Sequence, residues 1–219
     1  MLVNSKKKIA LVVSVPSIAR FFLVHQIYTL AKVYEVTLIG NFDNEKNFNK
    51  WLPKNVNIVN IPIQRKISII SDLVVLFLLI KFFYKSKFSI VHSVSPKAGL
   101  LAMLSSFFLR VPVRIHTFTG QVWVTKEGLI KKILKFLDFL IASLATIVLI
   151  DSHSQKNFLL ENGIVEDFKS CVTGNGSICG VDLNRFKFDH SERKRVRVDL
   201  DVNNNAFVFL SVLAFSIPS

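Results

Sequence analysis

The densest group of glycine and polar residues lies in the segment VTGNGSICGVDLNRF, which runs from Val172 to Phe186. Three of the chain's eight glycines, Gly174, Gly176 and Gly180, fall within it. Glycine allows a positive φ and a close approach of the backbone to a ligand. Their spacing, G-x-G-x-x-x-G, differs from the G-x-G-x-x-G of dinucleotide-binding proteins. The segment therefore predicts a ligand-contacting loop of another kind.

The segment RIHTFTGQVW places His116, Thr119, Gln121 and Trp123 within a single loop at the end of an apolar run. Hydrogen-bonding groups beside an aromatic ring suit a sugar, whose apolar face stacks on the ring while its hydroxyls are hydrogen-bonded. Core packing is the alternative interpretation for His116 and Trp123.

The segment VHSVSPKAG places His92, Ser95 and Lys97 around a proline suited to the first turn of a helix. A helix N-terminus with a lysine beside it can bind an anion. A capped helix with a solvated lysine explains the same residues. Ser14 and Ser17, in the loop SVPS, could also hydrogen-bond a ligand, although Ser17 suits a helix N-cap as well. That loop has no glycine, which argues against a nucleotide-binding Rossmann half.

Apolar strand-like runs alternate with amphipathic helix-like runs along the chain, which predicts a doubly wound α/β fold with a parallel sheet. Ligands of such sheets bind beyond the carboxyl ends of the strands. The predicted strands cover residues 9–15, 35–40, 56–61, 89–93, 113–117, 146–150, 171–173 and 206–212. The predicted helices cover residues 18–34, 72–84, 97–109, 129–143 and 153–162.

The composition is apolar and basic: 51% of the 219 residues are hydrophobic and the formal net charge is +13. This charge favours an anionic partner, which could be nucleic acid, an acidic membrane surface or a phosphorylated substrate. No apolar run reaches the ~20 residues of a membrane-spanning helix. The segment KEGLIKKILKFLDFLIA, with Lys131 and Lys135 on one face, predicts an amphipathic helix that lies on a membrane or packs on the sheet.

The chain's two cysteines and five histidines have no metal-ligand spacing, so no metal site is predicted. The cysteines are expected to be reduced structural thiols of a cytosolic protein.

Taken together, these segments resemble the family 4 glycosyltransferases, which have the two-domain GT-B architecture. TGNGSICGVD resembles the family's N-G-V-D loop with an insertion, and Phe186 matches its following phenylalanine. FSIVHSVSPKAGLLAML, VPVRIHTFTGQVW and LATIVLIDSHSQKNFLLENGI resemble its successive strand-and-helix units. The resemblance covers nearly the whole chain and is strongest to bacterial enzymes of O-antigen and capsule synthesis.

The resemblance implies a Rossmann-like acceptor-side domain over residues 1–187, followed by a linker and the first-strand stub of a donor-binding domain over residues 188–219. It implies retaining transfer from a nucleotide-sugar to an undecaprenyl-diphosphate-linked glycan, without a metal or other cofactor. The expected partners are this lipid-linked acceptor, an anionic membrane surface and, for a split enzyme, a separate donor-binding domain or subunit, but no nucleic acid. The expected location is cytoplasmic, peripheral on the inner face of the membrane.

The resemblance also implies roles for site residues. Thr119 stands where many members of the family have histidine, and the first loop lacks the family's usual glycines. The implied catalytic residues are His116 and Thr119. The implied acceptor-binding residues are Ser14, Ser17, His92, Ser95, Lys97, Gln121 and Trp123, and those of the interdomain crevice are Ser152, Asn175, Gly176 and Asp182.

The family's donor-binding features, a glycine with basic residues and a later pair of glutamates, are not found after Phe186. We therefore expect a truncated chain that does not catalyse transfer alone. The alternatives are a non-catalytic acceptor-binding subunit of a split enzyme and, less favoured, a basic nucleic-acid-binding domain, to which the run ERKRVR would belong.

Overall fold

The structure is a computed structural model, and it describes residues 6–43, 48–64 and 68–210. The chain forms two compact units that divide after Gly180. The first unit contains the sheet and all of the loops at its carboxyl end. The second unit begins at Val181.

The first unit is built on a seven-stranded parallel sheet with the strand order β3-β2-β1-β4-β5-β6-β7. This order reverses at β1, as in a doubly wound fold, so the predicted fold class is confirmed. The strands are β1 Lys8–Val13, β2 Glu35–Gly40, β3 Asn57–Asn60, β4 Ile90–Val94, β5 Val113–Phe118, β6 Ile147–Ile150 and β7 Ser170–Val172.

Helices connect these strands as predicted, with one exception. The helix predicted over residues 18–34 is two helices, which meet at the buried Leu23 (φ −111°, ψ −3°). The helices are α1 Pro16–Phe22, α2 Val24–Val33, α3 Ile69–Ser86, α4 Pro96–Phe108, α5 Gly128–Leu144, α6 His153–Glu161 and α7 His190–Asp199.

The sheet has a separate apolar core on each face. Ile9, Leu11 and Val13 of β1 pack with α1 and α2 on one face. Ala10 and Val12 point to the other face and pack with α3, α4, α5 and α6. Alternate residues of a strand point to opposite faces of the sheet. Crossover connections are right-handed, so the helix of a crossover lies on one face or the other according to the side on which the next strand is added. The two cores hold the carboxyl ends of the strands along one edge.

The second unit contains α7, which includes the basic run ERKRVR and lies within the segment expected to be a linker. The Asp189 carboxylate accepts hydrogen bonds from the amides of Ser191 and Glu192 and caps α7, and Arg195 pairs with Glu192 and Asp199. The strand predicted over residues 206–212 does not form at residues 206–210, which pair with no strand among the described residues, and residues 211–212 lie outside them.

Within the described ranges, no helix is long and apolar enough to cross a membrane. The same residues contain no group of three or more His, Cys, Asp or Glu side chains placed to hold a metal ion.

Candidate functional site

The candidate site is the edge of the sheet where the parallel strands end. The loops after β1, β4, β5, β6 and β7 follow one another along this edge in that spatial order. Neighbouring strands lie about 4.8 Å apart, so the row of loops extends for about 19 Å. Every loop that the sequence predicted to bind a ligand within the first unit lies in this row.

Two buried histidines tie β4 to β5 just below the edge. His92 Nε2 and Thr117 Oγ1 share a hydrogen bond of 2.8 Å, and Ser93 Oγ and His116 Nδ1 share one of 2.9 Å. Adjacent strand residues point to opposite faces, so the two pairs lie on opposite sides of the sheet. Each pair cross-links the same two strands.

Both imidazoles are neutral near pH 7. Burial lowers the pKa of His92 from 6.5 to about 4. Burial, and secondarily repulsion from His92, lowers the pKa of His116 to about 3. His116 is fully buried, and its Nε2 has no hydrogen-bond partner. In this position the ring contacts protein atoms, and its implied catalytic role stays a prediction.

A glycine on α4 makes room for the His116 ring. A Cβ added at Gly99 would lie 2.4 Å from His116 Cε1 and 2.7 Å from its Nδ1. Real Cβ atoms do not approach other atoms so closely, so any larger residue must displace the ring. Gly99 therefore helps to fix the Ser93–His116 pair.

The loops after β1 and β4 meet through their serines. Ser95 Oγ donates a hydrogen bond of 3.0 Å to Ser14 Oγ. Ser95 has φ +84° directly before Pro96, a conformation that costs a non-glycine residue energy and is often found at functional sites. Ser17 is exposed in the first turn of α1, whose N-cap is Val15, so the alternative interpretation of Ser17 as the N-cap is wrong.

Lys97 is held inside the helix layer. Its Nζ lies 2.6 Å from Asp72 Oδ1 of α3, and only 14% of its side chain is exposed. This ion pair joins the first turn of α4 to α3. The lysine positive charge at the predicted anion site is therefore balanced by a carboxylate.

The loop after β5 presents exposed Thr119 and Gly120 and the half-buried Gln121. Gln155 Nε2 donates to Gln121 Oε1 at 3.3 Å, while Gln121 Nε2 is buried without a hydrogen-bond partner. Ser152 accepts a hydrogen bond from the Gln155 amide and caps α6, as its sequence pattern predicts. Thr119 and Gln121 are thus brought to the centre of the row of loops.

Trp123 lies below this loop, in the core. Its ring is 2% exposed and stacks on Phe158, and its Nε1 donates a 2.8 Å hydrogen bond to Asp138. Burial raises the pKa of Asp138 to about 6, although the bond from Trp123 opposes the shift. These contacts and the burial of the indole ring match the core-packing interpretation.

The glycine-rich loop is anchored to the end of β6 by one residue. The carbonyl of Asp151 accepts from the Ser177 amide at 2.7 Å, and its carboxylate accepts from the Ile178 amide at 2.6 Å. A Cβ at Gly176, which has φ +106°, would lie 2.8 Å from the Asp151 carbonyl oxygen. The glycine therefore permits the close approach of loop and strand end, and Asn175 beside it is exposed.

Asp182 belongs to the second unit. Its carboxylate accepts hydrogen bonds from the amides of Asn184 and Arg185, which close a local turn.

The sequence reasoning missed several residues that shape the site. Asp151 directly follows a predicted strand, which is a usable signal. Gln26 donates to the Ile178 carbonyl at 2.9 Å from the middle of α2, where no pattern marks it. Gly99 and Asp72 also lie inside helices and act only through tertiary contacts.

No model of a protein family matches the chain. Two curated proteins match the chain in sequence. The chain is 32% identical over 132 residues to the capsular polysaccharide biosynthesis glycosyltransferase CapM of Staphylococcus aureus. It is 30% identical over 149 residues to the UDP-Gal:alpha-D-GlcNAc-diphosphoundecaprenol alpha-1,3-galactosyltransferase of Escherichia coli. The matches cover 60% and 68% of this chain, but only 35% and 38% of the relatives.

Solved structures share the fold at low sequence identity. A glycosyltransferase from Rickettsia africae matches 92% of this chain and 51% of its own, with a TM-score of 0.63 and 18% identity. Anabaena HepE in complex with UDP matches 89% of this chain and 50% of its own, with a TM-score of 0.61 and 13% identity. The UDP-GlcNAc 2-epimerase of Methanocaldococcus jannaschii has a TM-score of 0.56, with 78% of this chain and 45% of its own covered and 21% identity.

These similarities confirm the resemblance predicted from the sequence. The chain is similar in sequence to bacterial glycosyltransferases of capsule and undecaprenyl-linked glycan synthesis, and it has the Rossmann-like fold found in GT-B glycosyltransferases.

Proposed function

We propose that the chain is the acceptor-side part of a retaining family 4 glycosyltransferase. It acts on the inner face of the cell membrane, where a sugar is transferred from a nucleotide-sugar to an undecaprenyl-diphosphate-linked glycan of O-antigen or capsule. No metal or other cofactor is part of this proposal. The observation that carries it is the 30% identity, over 68% of this chain, to a transferase named for a diphosphoundecaprenol acceptor.

The edge of the sheet supplies suitable acceptor contacts. Ser17, Thr119 and Asn175 are exposed there, and each offers a neutral hydrogen-bonding group. Sugar hydroxyls both donate and accept hydrogen bonds, as do these side chains. The row of loops, about 19 Å long by strand spacing, has room for more than one sugar unit.

We assign different roles to the two residues with implied catalytic function. Thr119 is exposed at the centre of the row and is proposed to contact the reacting sugar. His116 is fully buried and bonded to Ser93, so it is proposed to be a positioning residue for the loop that carries Thr119.

Donor contacts are proposed to come from another domain, in the same polypeptide or in a partner. The loop after β1 lacks the glycines that bring a backbone close to a diphosphate, and Lys97 is paired with Asp72. The described edge is therefore better suited to a sugar acceptor than to a nucleotide diphosphate.

A binding experiment tests the assignment of the acceptor side. The purified chain is titrated calorimetrically with N-acetylglucosamine linked through diphosphate to a short prenyl chain, and separately with UDP. We expect the prenyl ligand to bind and UDP to bind much more weakly. The converse order of affinities would overturn the proposal.

A pair of variants locates this binding. Thr119→Ala removes one hydrogen bond to the ligand, so we expect about fivefold weaker binding of the prenyl ligand. Thr125→Ala is the matched control, because Thr125 is also exposed but its hydroxyl donates to the Val122 carbonyl. Equal effects of the two substitutions would contradict the proposed site.

A further inference from the structure

The outer side of α3 is apolar, where a surface helix of a globular protein is normally polar. Val75, Leu79 and Phe83 are buried against the sheet. On the opposite side Leu73 is 60% exposed and Phe77 is 67% exposed. The other exposed apolar side chains of α3 are Ile69, Ile70, Val74, Leu78 and Tyr84. Apart from Ser71 and Asp72, residues 69–80 of α3 are all apolar.

The outer side of α5 has the same character. Ile141 and Ala142 are buried in the core, whereas Ile130 and Ile133 are exposed. The remaining exposed apolar side chains of α5 are Leu129, Phe136 and Phe139. Lys131 and Lys135 were expected on one face of this helix; Lys131 is exposed, whereas Lys135 is half-buried and donates a hydrogen bond to Asn162.

These two apolar sides belong to one layer of the molecule. α3, α4 and α5 share the core on one face of the sheet, and α4 packs against both of the others. We call the exposed apolar side chains of α3 and α5 the apolar helix face. An exposed apolar surface of this extent is unusual on a soluble monomer and marks an interaction site.

The exposed charges within the helices that carry this face have one sign, and the exposed Glu127 lies outside them as the N-cap of α5. Lys81 and Lys85 are exposed at the end of α3, and Lys131 and Lys132 at the start of α5. The acidic residues within α3, α4 and α5 are Asp72, which pairs with Lys97, and Asp138, which is buried. The exposed charges of these three helices are therefore all positive.

We propose that the apolar helix face docks on an anionic phospholipid bilayer, with α3 and α5 lying in the plane of the interface. Apolar side chains flanked by lysines are what such a surface binds. A second copy of the chain would cover the same side chains but bring like charges together. This inference deepens the proposed function, on which its biological role rests.

The position of the face relative to the site supports this partner. α3 follows β3 and α5 follows β5, so both helices begin at the edge of the sheet where the strands end. Ile69 and Ile70 of α3, and Leu129 and Ile130 of α5, are exposed in those first turns. Docking would hold the candidate site beside the lipid headgroups, at the depth of a lipid-linked diphosphate.

Sedimentation with vesicles tests the proposal. The full chain is mixed with phosphatidylcholine vesicles that contain, or lack, one third phosphatidylglycerol. We expect binding to the anionic vesicles and at least about tenfold weaker binding to the neutral ones, since each lysine near the surface contributes about fivefold. Equal binding to both kinds of vesicle, or to neither, would overturn the proposal.

Matched variants locate the surface. We expect Leu73→Ser with Phe77→Ser to weaken vesicle binding at least about tenfold, because two apolar side chains no longer enter the bilayer. The control is Phe21→Ser with Val33→Ser, which changes side chains of similar exposure, 64% and 62%, on the other face of the sheet. Equal losses in the two variants would refute the assignment.

A second pair of variants tests the contribution of the lysines to vesicle binding. Lys131→Gln with Lys132→Gln is expected to weaken binding about 25-fold, and Lys50→Gln with Lys54→Gln, at exposed positions elsewhere, much less. Circular dichroism and urea midpoints of each variant identify any loss caused by unfolding.

Sedimentation velocity without lipid tests whether a second copy of the chain covers the face instead. A dimer that the Leu73 and Phe77 substitutions abolish, with vesicle binding unchanged, would assign the face to a second copy and overturn the proposal. The vesicles contain neither acceptor nor nucleotide-sugar. Failure of membrane docking therefore leaves the acceptor titration unaffected, and failure of that titration leaves docking unaffected.

Discussion

The contact between Gly99 and His116 allows a quantitative test of how the site is held together. Gly99→Ala would place a methyl group 2.4 Å from His116 Cε1, in a region where both residues are fully buried. Overpacking of this kind costs about 1–3 kcal/mol. A lost or weakened Ser93–His116 hydrogen bond adds about 1 kcal/mol. The better helix propensity of alanine offsets about 1 kcal/mol.

The expected net result is a free energy of unfolding lowered by about 2 kcal/mol, or about 4–8 °C in Tm. Urea unfolding followed by tryptophan fluorescence measures it, since both tryptophans, Trp51 and Trp123, lie in the first unit. We expect the midpoint to fall while the slope m stays unchanged. Gly120→Ala is the control, because a Cβ there meets nothing within 4 Å.

A double variant isolates the cause. In a His116→Ala background the ring is gone, so Gly99→Ala is expected to be neutral or to stabilise by up to about 1 kcal/mol. The reasoning is refuted if Gly99→Ala alone leaves stability within about 0.5 kcal/mol of the parent, or if its cost persists without the imidazole.

Three further predictions follow from the buried groups and the backbone of the site. The pKa values of His92 and His116 lie below 6.5 in the folded state. As the pH falls, the unfolded chain therefore takes up protons before the folded chain does. Each histidine is expected to lower the free energy of unfolding by about 2 kcal/mol between pH 7 and pH 5. Asp138, with its raised pKa, offsets about 1 kcal/mol of this loss. Urea midpoints that do not fall between pH 7 and pH 5 would contradict the lowered pKa values of the two histidines. Gly176→Ala is expected to cost about 1–3 kcal/mol, because its Cβ would lie 2.8 Å from a backbone oxygen at φ +106°, and faster amide hydrogen exchange in the glycine-rich loop is the readout. Ser95→Gly is expected to be about 1–2 kcal/mol more stable than Ser95→Ala, since both lose the hydroxyl and only glycine relieves the strain at φ +84°; equal thermal midpoints would argue against strain there.

The strands of the sheet were predictable because their physics is local. Runs such as Ile9–Val13 are continuously apolar and rich in β-branched residues, as is typical of parallel strands buried on both faces. The break at Leu23 was not predictable, because neither glycine nor proline marks it in the sequence. The strand predicted from residue 206 had the right composition, but residues 206–210 pair with no strand in the part of the chain that the structure describes.

The candidate site was predictable as a set of loops but not as a set of contacts. His92, His116 and Thr119 lie at strand ends, as the rule for parallel sheets requires. Whether a side chain there faces solvent or the core depends on the opposing helix, and sequence pattern does not reveal that. Gly99 admits the His116 ring, and Asp138 binds the indole of Trp123, each across a long stretch of sequence.

The pairing of Lys97 with Asp72 has a consequence for how the protein responds to ionic strength. The hydroxyl, amide and neutral imidazole groups at the edge of the sheet have no net charge for dissolved ions to screen, and the lysine beside them is already neutralised. Exposed charges lose most of their attraction to a distant partner once the Debye length falls to a few ångströms, as it does near 1 M salt. Added salt should therefore release the lysine-flanked helix face from an anionic bilayer while leaving sugar recognition at the edge nearly intact. Salt concentration alone would separate the proposed membrane attachment from the proposed recognition of an acceptor.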